Sequence, residues 1–125
     1  MDIERFIRDI PDFPKPGVVF KDITPVLANP DAFAAVIDYF VDRYSHDPVD
    51  AVVGIDARGF LLAAPIAYRL SIPLVPVRKE GKLPFQTHSV AYELEYGSSV
   101  VEMHVDAISN GHRVVIMDDL LATGG

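Results

Sequence analysis

The stretch Val114-Val115-Ile116-Met117-Asp118-Asp119-Leu120-Leu121-Ala122-Thr123-Gly124-Gly125 decides the fold. Its first four residues are apolar without interruption, which predicts a parallel strand buried on both faces. The run passes directly into two carboxylates and then into a small turn closed by two glycines. At the carboxyl end of a parallel strand, the N–H groups of such a turn and the helix start that follows form a concave site for phosphate. Asp118 and Asp119 repel a phosphate, but they suit ribose hydroxyls or a carbon that becomes cationic in a transition state. One turn would then hold a sugar phosphate by both ends.

Working upstream, Asp50 to Ile55 reads as a buried strand, followed by the turn Asp56-Ala57-Arg58-Gly59 and a helix from Phe60 to Leu70. An arginine on a strand-to-helix turn, beside a glycine that admits close backbone approach, suits a diphosphate fork. Asp56 is the nearest countercharge and offers the plainer alternative of a surface ion pair. Pro65 predicts a kink in the helix. Ile72 to Val77 reads as a second strand, made irregular or peripheral by Pro73 and Pro76. It empties into Arg78-Lys79-Glu80-Gly81-Lys82-Leu83-Pro84, where Arg78, Lys79 and Lys82 form a local basic cluster on a loop suited to a mobile lid over a departing diphosphate.

Alternation from Val90 to Tyr96, a turn at Gly97-Ser98-Ser99 and alternation from Val101 to Val105 predict a β-hairpin. At the other end of the chain, Ile3, Phe6, Ile7 and Ile10 recur at helical spacing, so a short amphipathic helix is expected to stop at Pro11. Prolines 11, 14 and 16 with Gly17 then forbid regular structure up to Val18. Thr24-Pro25 and Asn29-Pro30 each read as an N-cap followed by proline at the first helical position. The second opens a helix whose Phe33, Val36, Ile37, Phe40, Val41 and Tyr44 form a core stripe.

Composition narrows the function classes. A chain of 125 residues with half of them hydrophobic fits one domain with its own core. Eighteen acidic against eleven basic residues leave a formal charge of −7, which argues against nucleic acid as a partner. Without cysteine there are no disulfides, thiolate metal sites or Cys nucleophile. No apolar run approaches the ~20 residues of a membrane helix, and the N-terminus lacks a signal-peptide pattern, so a cytoplasmic protein without membrane partners is expected.

The Asp118 motif resembles the phosphoribosyl pyrophosphate motif of the type I phosphoribosyltransferases, and its form Asp-Asp-Leu-Leu-Ala-Thr-Gly-Gly resembles the adenine-using members in particular. The resemblance extends to the Arg58 turn, the basic loop, the Leu94-Glu95-Tyr96-Gly97 hairpin and the Val19-Phe20-Lys21 step, in the family's order. It implies an α/β type I phosphoribosyltransferase fold: a mainly parallel central sheet with flanking helices, an N-terminal hood over residues 1–28, and a flexible loop and hairpin over 78–105, all in one domain. Because the family continues through a further phosphate donor, a helix and more strands, the resemblance also implies a chain truncated within this motif.

By that resemblance Asp118 and Asp119 touch the ribose hydroxyls, while Ala122, Thr123, Gly124 and Gly125 begin the 5′-phosphate cradle. Arg58, Arg78, Lys79 and Lys82 face the pyrophosphate. Val19, Phe20, Lys21 and Glu95 bind adenine, with Tyr96 in the lid. The catalytic set is Glu95, Asp118, Asp119 and Arg58. The reaction implied is purine salvage, adenine plus phosphoribosyl pyrophosphate giving AMP and pyrophosphate, by a homodimer, with Mg²⁺ carried on the pyrophosphate and no metal ligated directly by the protein. The alternatives are a transferase for xanthine or hypoxanthine/guanine, and a non-catalytic regulator that binds phosphoribosyl pyrophosphate.

Overall fold

The computed structural model describes residues 1–93 and 97–121. The chain divides into two compact units, Met1–Arg43 and Tyr44–Gly125.

In the first unit the expected opening helix is a single 3₁₀ turn, Ile3–Phe6, after which Ile7 is already extended. The chain instead forms strand β1 (Arg8–Pro11), antiparallel to β2 (Val19–Asp22). Cross-strand charge explains why the ladder displaces the helix. Arg8 lies opposite Asp22 at 3.3 Å and Asp9 opposite Lys21 at 2.6 Å, so both polar pairs on the ladder are of opposite sign. Helix α1 (Thr24–Ala28) starts at Thr24 instead of being capped by it: Ile23 takes the N-cap position without a side-chain cap, and Asp22 accepts the Thr24 N–H at 2.9 Å and its hydroxyl at 2.7 Å. Asn29 caps α2 (Pro30–His46) as expected, its side-chain oxygen accepting the Ala32 N–H at 3.0 Å. Of the α2 stripe only Ile37 is buried, and the rest is half-exposed rather than core.

The second unit is built on a five-stranded sheet. Its strands are β3 (Ala51–Ile55), β4 (Leu74–Lys79), β5 (Thr87–Glu93), β6 (Ser98–His104) and β7 (Val114–Met117), in spatial order β5-β6-β4-β3-β7. β4 and β7 both run parallel to β3, whereas β6 is antiparallel to β4 and to β5. The sheet is therefore mixed, with β6 alone running against the other four strands.

Period two along β3 divides the packing. Ala51 and Val53 join Val75 in a buried cluster that Val77, Met103, Ala107, Ile108 and Val114 flank. Val52 and Gly54 face the other way, toward helix α3 (Gly59–Leu70), whose Leu62, Ala63, Ile66 and Ala67 are buried. Gly54 is a packing requirement, since a Cβ there would stand 2.9 Å from that of Ala63 and 3.1 Å from the Phe60 ring. Pro65 lies in the second turn of α3 without ending it.

Three expectations change here. β4 is an interior strand, because its prolines sit where they cost no ladder bond: Pro73 precedes it and offers only its carbonyl, to the Val52 N–H at 2.9 Å, while β6 joins at Arg78 and Lys79, beyond Pro76. Ser98 and Ser99 belong to β6 rather than to the turn. Finally, β7 is an edge strand among the described residues, and Ile116 is 65% exposed instead of buried.

Candidate active site

Three parallel strands end side by side. Ile55 stands in register with Val77, Gly54 with Met117, and the Asp56 N–H continues the ladder to the Val77 carbonyl at 2.9 Å. Asp56 and Asp118, just past their strands, and Arg78, at the end of β4, therefore lie along one edge, the carboxyl edge where α/β sheets bind ligands. The turn after β3, whose Asp56–Ala57 peptide is cis, delivers Arg58 to the start of α3. Gly59 sets how closely that helix approaches β7, for a Cβ would meet the Met117 carbonyl oxygen at 2.6 Å and the Asp118 Cα at 3.3 Å.

Among the described residues, ion pairs from Arg58 and from Arg78 span this edge. Arg58 Nε lies 2.5 Å from Asp119 Oδ2, and the Asp119 side chain is only 2% exposed. No aligned hydrogen bond reaches that oxygen among the described residues, so the contact acts as a charge pair that compensates a buried carboxylate. Arg78 Nε lies 3.4 Å from Asp56 Oδ2, which the Lys79 N–H also approaches at 3.5 Å. Asp118 is the more open of the acidic pair, and its Oδ1 accepts the Asp119 N–H at 2.8 Å. Desolvation at the strand end and the Asp119 carboxyl group raise its pKa above the usual aspartate range, against the pull of that N–H and of Arg58.

Arg78 and Lys79 belong to β4, so the basic loop is shorter than its sequence suggests. Lys79 begins a tight turn in which the Lys82 N–H donates to the Lys79 carbonyl at 3.2 Å and Gly81 takes φ +84°, a conformation that favours glycine. The turn places Lys79 and Lys82 at its two ends. Carboxylates and cations thus alternate along one edge, an arrangement able to hold a ligand whose charge is positive at one atom and negative a few ångströms away.

The match to the phosphoribosyl transferase domain model runs over residues 22–125. An adenine phosphoribosyltransferase of Acidothermus cellulolyticus is 60% identical over 123 residues, 98% of this chain and 70% of that protein. The chain belongs to the adenine phosphoribosyltransferase family. Solved adenine phosphoribosyltransferases have the same fold: that of Thermoanaerobacter pseudethanolicus superposes with a TM-score of 0.94 at 54% identity, over 99% of this chain and 72% of that one. The Saccharomyces cerevisiae enzyme, complexed with adenine and an imino-altritol bisphosphate, gives 0.91 at 38% identity, over 99% and 73%.

For an adenine phosphoribosyltransferase chain, the sequence-derived site residues fall into three groups. Arg58, Arg78, Lys79, Lys82, Asp118 and Asp119 lie on the strand ends and the adjoining turn of the second unit. Val19, Phe20 and Lys21 lie on β2 in the first unit, where Phe20 meets Phe13 edge-on at 5.2 Å, Lys21 pairs with Asp9, and Val19 is 56% exposed. Glu95, Tyr96, Ala122, Thr123, Gly124 and Gly125 lie outside the described residues. Asp56 entered the sequence reading only as a surface partner for Arg58. It pairs with Arg78 instead, and the signal that marks it is its position as the first polar residue after a buried strand.

Proposed function

We propose that this chain transfers the 5-phosphoribosyl group from phosphoribosyl pyrophosphate to adenine, giving AMP and pyrophosphate, as a step of purine salvage. The observation that carries the reading is the strand-end pairing of Arg58 with Asp119 beside Arg78 with Asp56. As the C1′–O bond to the diphosphate breaks and the bond from C1′ to the adenine nitrogen forms, positive charge grows on the ribosyl carbon and negative charge on the leaving group. Asp118 and Asp119 serve the ribose side. Arg58, Arg78, Lys79 and Lys82 serve the diphosphate.

In this reading the Arg58–Asp119 pair holds the place of the substrate. When the diphosphate arrives, Arg58 turns to it and Asp119 is released to the ribose hydroxyls, so binding exchanges one charge partner for another instead of burying a bare carboxylate. Glu95 takes or positions the proton that leaves adenine. Val19, Phe20 and Lys21 contact the base, Tyr96 belongs to the lid, and residues 122–125 cradle the 5′-phosphate. Mg²⁺ travels on the diphosphate, where hard oxygen ligands suit it. Residues 1–125 are read as one phosphoribosyltransferase domain.

A cytoplasmic homodimer completes the proposal. Supporting it, the first unit has an apolar groove of about 330 Å³, lined by Met1, Ile3, Ala35, Val36, Tyr39 and Phe40, in which Tyr39 is 61% exposed. No helix of the described residues is long and apolar enough to cross a membrane. The deciding assay, run on the full-length protein, supplies adenine, phosphoribosyl pyrophosphate and Mg²⁺ and follows AMP and pyrophosphate, which are expected in equal amounts. No AMP, or equal use of hypoxanthine, guanine or xanthine, would overturn the reading.

A further inference from the structure

Glu102, on β6, is the most heavily engaged carboxylate among the described residues of the hairpin. Its Oε1 accepts the Gly81 N–H at 2.8 Å, and its Oε2 accepts the hydroxyls of Thr87 at 2.8 Å and Ser89 at 2.7 Å. Three donors hold its pKa below the usual glutamate range, the Gly81 N–H most strongly, so it stays ionised. Gly81 is the positive-φ residue of the turn that separates Lys79 from Lys82. Two residues along the same strand, and so on the same face, His104 Nε2 accepts the Phe85 N–H at 3.4 Å. β6 therefore grips the basic loop at both ends, and the stronger grip is on the turn that carries the lysines.

We infer that Glu102 is a positioning residue for phosphoribosyl pyrophosphate: by fixing the Gly81 peptide and the start of β5, it sets the direction in which Lys79 and Lys82 meet the diphosphate. It touches no substrate and acts through the turn. This role rests on the function proposed above. A connection of seven residues, 80–86, without such an anchor samples many conformers, and each bound diphosphate must then select the productive one. The cost of losing the anchor falls on diphosphate binding, not on adenine binding or on the bond-breaking step.

The test compares Glu102→Ala and Glu102→Gln with the wild-type chain in steady-state kinetics, together with amide exchange at Gly81 measured by NMR without substrate. Glu102→Ala is expected to speed Gly81 exchange and to raise KM for phosphoribosyl pyrophosphate roughly tenfold, with KM for adenine and kcat within about twofold. Glu102→Gln keeps an acceptor for the Gly81 N–H and polar partners for both hydroxyls, so it should recover KM to within about threefold. If Glu102→Ala does not fold, Thr87→Val with Ser89→Ala strips both hydroxyl donors and should give an intermediate rise in KM. Unchanged Gly81 exchange, an unchanged KM, or equal losses in every kinetic parameter would overturn the role of Glu102 while the wild type remains active. A wild type that forms no AMP overturns the functional reading itself, and with it the diphosphate role, whereas Gly81 exchange still reports whether the carboxylate holds the turn.

Discussion

The strand ends and the hairpin place charges by opposite means. At the strand ends backbone crowding does it: Gly59 sits where a single methyl would strike the Met117 carbonyl, and Gly54 where it would strike Ala63. In the hairpin a few side-chain hydrogen bonds do it, centred on one partly exposed carboxylate. Crowding leaves one geometry and fails abruptly, whereas a hydrogen-bonded turn can be loosened by degrees. The difference teaches where damage should appear: in folding at the strand ends, in ligand affinity at the hairpin.

The largest effect would sharpen that contrast by giving the hairpin a chemical role. Glu95→Gln should lower kcat by ~10²–10⁴-fold with little change in KM for adenine. Near-normal turnover would leave the hairpin with affinity alone. Next, Arg58→Ala should weaken phosphoribosyl pyrophosphate roughly ten- to a hundred-fold while sparing adenine, and calorimetry with each ligand separates the two. Because it strands a buried Asp119 carboxylate, it should also lower the melting temperature, and Asp119→Asn in the same chain should restore part of it. Gly59→Ala should cost about 1–3 kcal/mol of stability, the range for overpacking, read from denaturant midpoints. A neutral result would break the comparison, since crowding would then not be what holds the strand ends.

The smallest effect concerns pH. Asp118 has its folded pKa raised, chiefly by desolvation, so its protonated form is the one the fold favours. Its contribution to stability is present in acid below the unfolded aspartate value and is lost as pH rises through the raised folded value. Asp118→Asn, which cannot ionise, should therefore melt slightly higher than wild type at neutral pH, with the difference vanishing in acid, while ribose-side binding is lost. Melting curves across that range check the sign.

Much of this was legible in the chain because apolar runs and their polar ends are local signals. The Val52 and Val114 strands, the Arg58 turn and the Asp118 pair needed only period, length and the residue that follows. What was not legible depends on partners distant in sequence. Ile3, Phe6, Ile7 and Ile10 have helical spacing, but Arg8 and Asp9 find Asp22 and Lys21 across a hairpin, and the ladder wins. Pro73 and Pro76 predict a peripheral strand to a reader who cannot see that β6 joins only beyond them. Glu102 looks like one outward residue of an alternating strand until Gly81, Thr87 and Ser89 are seen around it. That Arg58 faces Asp119, 61 residues away, instead of Asp56 follows from two strand ends distant in the chain meeting at one edge.

The proline-bearing β4 has one more consequence. Register pairing of β6 to β4 is confined to Arg78 with Glu102 and Lys79 with Val101, although β5 and β6 pair along seven positions. Beyond that register the Glu80 N–H reaches the Val100 carbonyl at 3.1 Å, so a short seam joins a hairpin that is well knit within itself to the parallel strands beside it. Partial unfolding should follow that seam. The hairpin's amides would then exchange through an opening that leaves β3, β4 and β7 intact, and a protease would cut there first while the remainder stayed folded.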